Sequence, residues 1–97
     1  MATYITLASL TDQGVRTMKE LPRRLQNADQ TFRSLGGELR EIYLVMGPYD
    51  YVVISEAPND ETAAKVALAV AAQGNVRTQT FRAFTRDETL ELVEGLP

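Results

Sequence analysis

The side chains able to do chemistry in this chain are few, and their types narrow the chemistry at once. Neither histidine nor cysteine occurs among its 97 residues. That excludes thiolate nucleophiles, disulfides, a Ser-His-Asp triad, a His-ligated haem and a zinc site of the usual kind. No glycine-rich phosphate loop, metal-ligand spacing or nucleophile–base pair is present either, so no cofactor is expected. What remains is a set of phenols and hydroxyls with one carboxylate and one guanidinium: Tyr4, Tyr43, Tyr49, Tyr51, Thr78, Thr80, Asp50 and Arg82. These are the candidate ligand-binding residues, and no catalytic residue is assigned among them.

Each admits two readings. Asp50 and Tyr49 follow Gly47-Pro48 and could stand at a pocket mouth, Asp50 as acid/base or ligand anchor. The same four residues are ordinary turn chemistry, in which Asp bonds local backbone and Tyr49 packs over the turn. Tyr4, Tyr43 and Tyr51 could form an aromatic wall with hydroxyls offered to a ligand, or pack a dimer interface. Arg82, with Thr80 and Phe84 on its face, would suit a carboxylate or an enolate, or pair with Glu41 or Glu56.

These residues must be positioned by a small number of elements. Residues 42–57 form two β-rich runs around Gly47-Pro48-Tyr49-Asp50 and predict a β-hairpin at mid-chain. A first strand is expected over residues 3–9, strands of the hairpin over 38–46 and 51–56, and a fourth over 76–84. Thr11 reads as a helix N-cap with Asp12 in the first turn. Apolar residues at Val15, Met18, Leu21, Leu25, Ala28, Phe32 and Leu35 keep a helical period behind it. Pro22 must break that run, predicting segments 12–20 and 22–35 with Pro22 in the first turn of the second. A further helix is expected over 60–73, burying Ala63, Val66, Ala67, Val70 and Ala71, and a short acidic one over 87–93, with Leu90 and Val93 free to dock. The order is βαββαβ in a single domain, residues 1–97.

Two helices cover one face of a four-stranded antiparallel sheet and leave the other open. Strand parity assigns Ile5, Leu7, Ile42, Leu44, Val52, Ile54, Phe81 and Ala83 to the helix side. Tyr4, Thr6, Tyr43, Val45, Tyr51, Val53, Ser55, Thr78, Thr80 and Arg82 then lie opposite. That second set is half apolar and half hydrogen-bonding, which predicts packing against a second copy around a partly enclosed cavity. A homodimer follows, with higher assembly left open.

The balance of charge is −3, from 13 acids against 10 bases, which argues against a nucleic-acid partner. Arg16, Lys19, Arg23 and Arg24 cluster early and Asp87, Glu88, Glu91 and Glu94 late, the pattern of solvated helix faces. No apolar run approaches the roughly 20 residues a membrane span requires, and no secretory signal opens the chain. A cytoplasmic protein without membrane contact is expected.

Several short motifs, in order and at matching spacing, resemble the GYD-domain family. They are Thr11-Asp12-Gln13-Gly14, the run from Tyr43 to Asp50, Glu56-Ala57-Pro58, Gly74-Asn75-Val76-Arg77-Thr78 and Arg82-Ala83-Phe84-Thr85. The family's namesake residues map onto Gly47, Tyr49 and Asp50. The resemblance implies an α+β, ferredoxin-like fold of the dimeric αβ-barrel type. It implies no one activity, because relatives of that fold include cofactor-independent monooxygenases, haem enzymes and effector-binding domains of regulators. The leading expectation is a protein binding a small, partly apolar molecule. Its rivals are a cofactor-free oxygenase or isomerase using Tyr43, Tyr51, Asp50 and Arg82, and a structural assembly protein.

Overall fold

The computed structural model describes residues 1–97. Strand β1 (Ala2–Leu10) leads through helix α1 (Asp12–Arg16) and a 3-10 turn (Met18–Glu20) into α2 (Leu21–Ser34). The hairpin strands β2 (Glu38–Leu44) and β3 (Tyr51–Ala57) follow, then α3 (Asp60–Ala72), β4 (Val76–Ala83) and α4 (Arg86–Glu94). All four strands join one antiparallel sheet in the order β2-β3-β1-β4. This is the expected ferredoxin-like βαββαβ arrangement, with α2 and α3 on one face.

Local chemistry accounts for the boundaries. The Thr11 side chain accepts a hydrogen bond from Gly14 N, Asn59 caps α3 through Thr62 N, and Thr85 with Glu88 forms a capping box at α4. Each such cap contributes about 1 kcal/mol. Pro22 sits in the first turn of α2, where its missing N–H removes no bond. The break ahead of it gives α1 its own axis, so the helical period does not carry across and Val15, expected in the buried stripe, is 58% exposed. Ala71, at the end of α3, is likewise exposed.

The faces of β1, β3 and β4 are the reverse of the parity expectation. Tyr4, Ala8, Tyr51, Ser55 and Ala57 are buried under the helices, whereas Ile5, Leu7, Val52 and Ile54 are not. Directly opposed residues share a face, so Thr78, Thr80 and Arg82, paired with Ala8, Thr6 and Tyr4, also lie on the helix side. The physical reason is space. Ala8, Ser55 and Ala57 are small enough for helices to approach, and the Tyr4 hydroxyl reaches past them to donate to Asp60 in the first turn of α3. Strand β2 keeps its expected faces at Ile42 and Tyr43, opposite Val53 and Val52. A bulge between Leu39 and Glu41 turns Leu39 inward as well and leaves Arg40 outside, beside Glu38 and Glu56.

Two rows of side chains therefore cross the open face. One runs Tyr43, Val52, Leu7 and Gln79; the next runs Glu41, Ile54, Ile5 and Phe81. Tyr43 and Phe81 are each 51% exposed. Helix α4 leaves Leu90, Leu92 and Val93 more than half exposed, so Leu90 and Val93, expected to dock, stay uncovered within one chain, as does Leu96 beyond the helix. No helix is long and apolar enough to cross a membrane.

Candidate functional site

Between the helix layer and the sheet lies a cavity of about 130 Å³. Its floor comes from β1, β3 and β4 through Thr6, Ala8, Tyr51, Val53, Ser55, Thr78 and Thr80. Leu39 and Ile42 of β2 close one side, and the inward stripes of α2 (Leu21, Arg24, Leu25, Ala28, Phe32) and α3 (Ala63, Val66, Ala67, Val70) form the roof. Of the 22 lining residues 15 are apolar, so polar atoms here have few chances of a partner. Thr6 and Thr80, toward the exposed side of the cavity, bond each other, Oγ1 to Oγ1 at 2.9 Å.

Tyr51 has no such bond. The residue is 5% exposed, and its hydroxyl is buried without any hydrogen-bond partner. Burial pushes its phenol above the ordinary range; the Arg24 charge opposes that shift and the Asp50 charge adds to it. A neutral phenol in this place is a hydrogen-bond donor, not a base. The second orphaned atom is Arg24 Nε, also buried and unpartnered.

The sequence candidates divide accordingly. Tyr51, Thr78 and Thr80 line the cavity. Tyr4 lies on the same face, with its hydroxyl committed to Asp60 and its phenol pushed up by burial first and by that bond second. Tyr43 stands on the open face, opposite Val52. Arg82 lies outside the cavity: its guanidinium stacks 4.3 Å from the Phe84 ring and 5.9 Å from that of Tyr4, and donates to the Thr3 and Ala83 carbonyls. The expectation of Arg82 aimed into a cavity is thus corrected, because Phe84 beyond the strand end holds it at the rim. The cavity's arginine is Arg24. The signal for it was in the sequence, since Arg24 falls three residues after Leu21 and four before Ala28, on the apolar stripe of α2.

Tyr49 and Asp50 are engaged at the hairpin. The Asp50 carboxylate accepts from Leu10 N at 2.8 Å, while its backbone N–H donates to Ala8 O at 2.9 Å and its carbonyl accepts from Val45 N at 2.8 Å. Tyr49 reaches across to β4, donating to Gln79 Oε1 at 2.8 Å. Gly47 supplies the φ of +136° that lets the hairpin turn back. Together the three residues fasten the hairpin tip to β1 and β4. Asp50→Ala is expected to lower stability by about 2 kcal/mol by stranding the Leu10 amide, and Asp50→Asn, which retains an acceptor, by less than half of that. Urea titration of the pair checks this, and equal losses would contradict it.

A second fastening joins the loops at the other end of the motif set. Thr11 N donates to Asn75 O at 3.0 Å and Thr11 Oγ1 to Gly74 O at 2.6 Å. Gln13 Nε2 donates to Gln73 O at 2.9 Å and Asn75 Oδ1 at 3.0 Å. The Thr11–Gly14 and Gly74–Asn75 segments, far apart in sequence, are thus two halves of one junction.

Comparison with known proteins agrees with the fold. A protein of Thermus thermophilus, named glutamine synthetase and cystathionine beta-lyase binding protein, is 38% identical over 84 residues, which cover 86% of this chain and 88% of that one. Among solved structures, the feast or famine regulatory protein of M. tuberculosis, complexed with L-methionine, aligns with a TM-score of 0.66 at 15% identity. The alignment covers 88% of this chain and 51% of that one, so this chain spans about half the regulator's length and shares its fold. A crystal structure of a Thermus thermophilus protein aligns with a TM-score of 0.54 at 26% identity, covering 89% of this chain and 100% of that one. The GYD domain pattern matches residues 4–93. With that match spanning nearly the whole sequence and a 38% identical relative covered over most of both lengths, the chain belongs to the GYD domain family.

Proposed function

We propose that this chain is a homodimeric binding protein that holds a small, partly apolar molecule in the cavity between its helices and its sheet. The observation that carries the reading is the Tyr51 hydroxyl, buried in an apolar cavity with nothing to bond. An unsatisfied buried hydroxyl costs about 1–3 kcal/mol, a penalty that a bound molecule removes. The volume of about 130 Å³ supports a ligand near the size of benzene, which an apolar cavity of ~150 Å³ accommodates.

The dimer is supported by how little one chain buries. Nine of 97 residues are buried, a thin core even for a small domain, and the apolar rows of the open face are adjacent and uncovered. A second copy laid face to face would cover both sets of rows at once. The binding character agrees with the name of the Thermus relative, which also favours a protein partner. The exposed apolar residues of α4 offer a surface for one. A cofactor-free oxygenase or isomerase has less support, because Tyr43, Asp50 and Arg82 do not line the cavity. A purely structural role has less support too, since it needs no cavity.

Native mass spectrometry of gently purified protein tests the reading. The expected result is a dimer that carries, or takes up from added toluene or phenol, one small molecule per chain. A bare monomer, or a dimer that takes up none of these, overturns it.

A further inference from the structure

Arg24 is a half-buried cation without a counter-ion. One guanidinium NH₂ group is spent on two carbonyls, Thr17 O at 3.0 Å and Gly14 O at 3.3 Å. No carboxylate lies within ion-pair distance; the ion pairs are Arg23–Glu20, Arg40–Glu38 and Arg40–Glu56, all at the surface. Its Nε–H faces an apolar interior with no acceptor. A guanidinium held in that way is unfavourable unless an anion joins it.

The other orphaned group in the cavity is again a donor. The Tyr51 hydroxyl has no acceptor: of the hydroxyl residues that line the cavity, Thr6 and Thr80 bond each other, and neither they nor Ser55 or Thr78 bonds to it. Asp50 does not serve: its carboxylate lies outside the cavity lining, where it accepts from the Leu10 amide, and makes no bond to the Tyr51 hydroxyl. The cavity therefore presents two unpartnered donors, one cationic N–H and one phenol O–H, in a lining that is mostly apolar, holds neutral hydroxyls and amides besides, and contains no carboxylate. That combination selects the ligand's chemistry: one oxygen for each donor and a negative charge for the guanidinium, on a compact apolar body. An amino acid fits poorly, because its ammonium would enter the same site with no carboxylate to meet it.

We propose that the cavity binds a small monocarboxylate with a branched or aromatic hydrocarbon body, its carboxylate received by Arg24 Nε and the Tyr51 hydroxyl. This rests on the cavity being a ligand site, as proposed above, and adds the class of ligand. The influence of the Arg24 charge on the Tyr51 phenol agrees with the two groups acting on one bound anion.

Calorimetric titration of the intact protein with 3-methylbutanoate and benzoate, against 3-methylbutanamide, benzamide, leucine and toluene, separates the two layers. The acids are expected to bind at least tenfold more tightly than their amides, with leucine weaker still. Tyr51→Phe, which alters no other bond, is expected to weaken the acids about tenfold and leave toluene unchanged. Arg24→Lys should abolish the preference for acid over amide, and its folding is checked by circular dichroism because Arg24 also bonds two carbonyls. Amides binding as well as acids would overturn the carboxylate inference while leaving the cavity reading standing. If toluene, acids and amides all fail to bind, both fall.

Discussion

Gly14→Ala is expected to destabilise the protein by about 3 kcal/mol, although it puts the best helix former into a helix. On propensity alone the change in α1 should stabilise by about 1 kcal/mol. Packing decides the sign. A methyl group on Gly14 would stand 2.1 Å from the carbonyl oxygen of Asn75 and 3.1 Å from a methyl of Leu10. The first neighbour is backbone and cannot rotate away. It is also the acceptor for Thr11 N–H, so the loop cannot retreat without loosening the Thr11, Gln13 and Asn75 bonds that join β1–α1 to α3–β4. Overpacking of this kind costs roughly 1–3 kcal/mol even where side chains can yield, and here the obstruction is main chain. In urea the midpoint should fall by roughly 2 M, given a slope on the order of 1–3 kcal/mol/M. Gly95→Ala is the control, because its methyl would lie no closer than 3.6 Å to any atom. A Gly14→Ala midpoint at or above that of the parent would refute the junction as described.

That junction also explains why the Thr11–Gly14 and Gly74–Asn75 motifs stand out in the sequence while giving no hint of their purpose. Local signals were legible: the Pro22 break, the Thr11 cap and the hairpin at Gly47 all follow from the neighbouring residues. Strand parity was not. In β3 both alternating sets contain apolar side chains, Tyr51 with Val53 and Val52 with Ile54, so hydrophobicity alone cannot say which faces the helices. Size breaks the tie. Ala8, Ser55 and Ala57 mark the face that helices can approach, and Tyr4 belongs with them because its hydroxyl has a partner on α3. The same blindness hid the cavity arginine. Among four clustered bases, Arg24 differs from Arg16, Lys19 and Arg23 by its place on the stripe of Leu21, Leu25 and Ala28, and not by its type. Arg82 looked more promising, yet Phe84 and Tyr4 hold it at the rim.

Phe81→Glu is expected to turn the proposed face-to-face dimer into a monomer without unfolding the chain. Phe81 is half exposed on the open face, directly opposite Ile5, and a glutamate there has water available in the isolated chain. In a face-to-face dimer the two-fold axis would bring one such carboxylate from each copy into contact with the Ile5 and Ile54 rows. Burying an unpaired carboxylate costs several kcal/mol, and with two per dimer the dissociation constant should rise by at least about 100-fold. Sedimentation equilibrium reads the change, and circular dichroism verifies that the fold persists. Leu68→Glu provides the comparison: Leu68 is 70% exposed on α3, away from the sheet, and the substitution should leave the dimer intact. A dimer that survives Phe81→Glu but dissociates on Leu90→Glu would move the interface to α4, whose apolar residues are just as uncovered. The cavity, on the far side of the sheet, should keep its affinity for toluene in the Phe81→Glu monomer, because each chain supplies its own floor and roof.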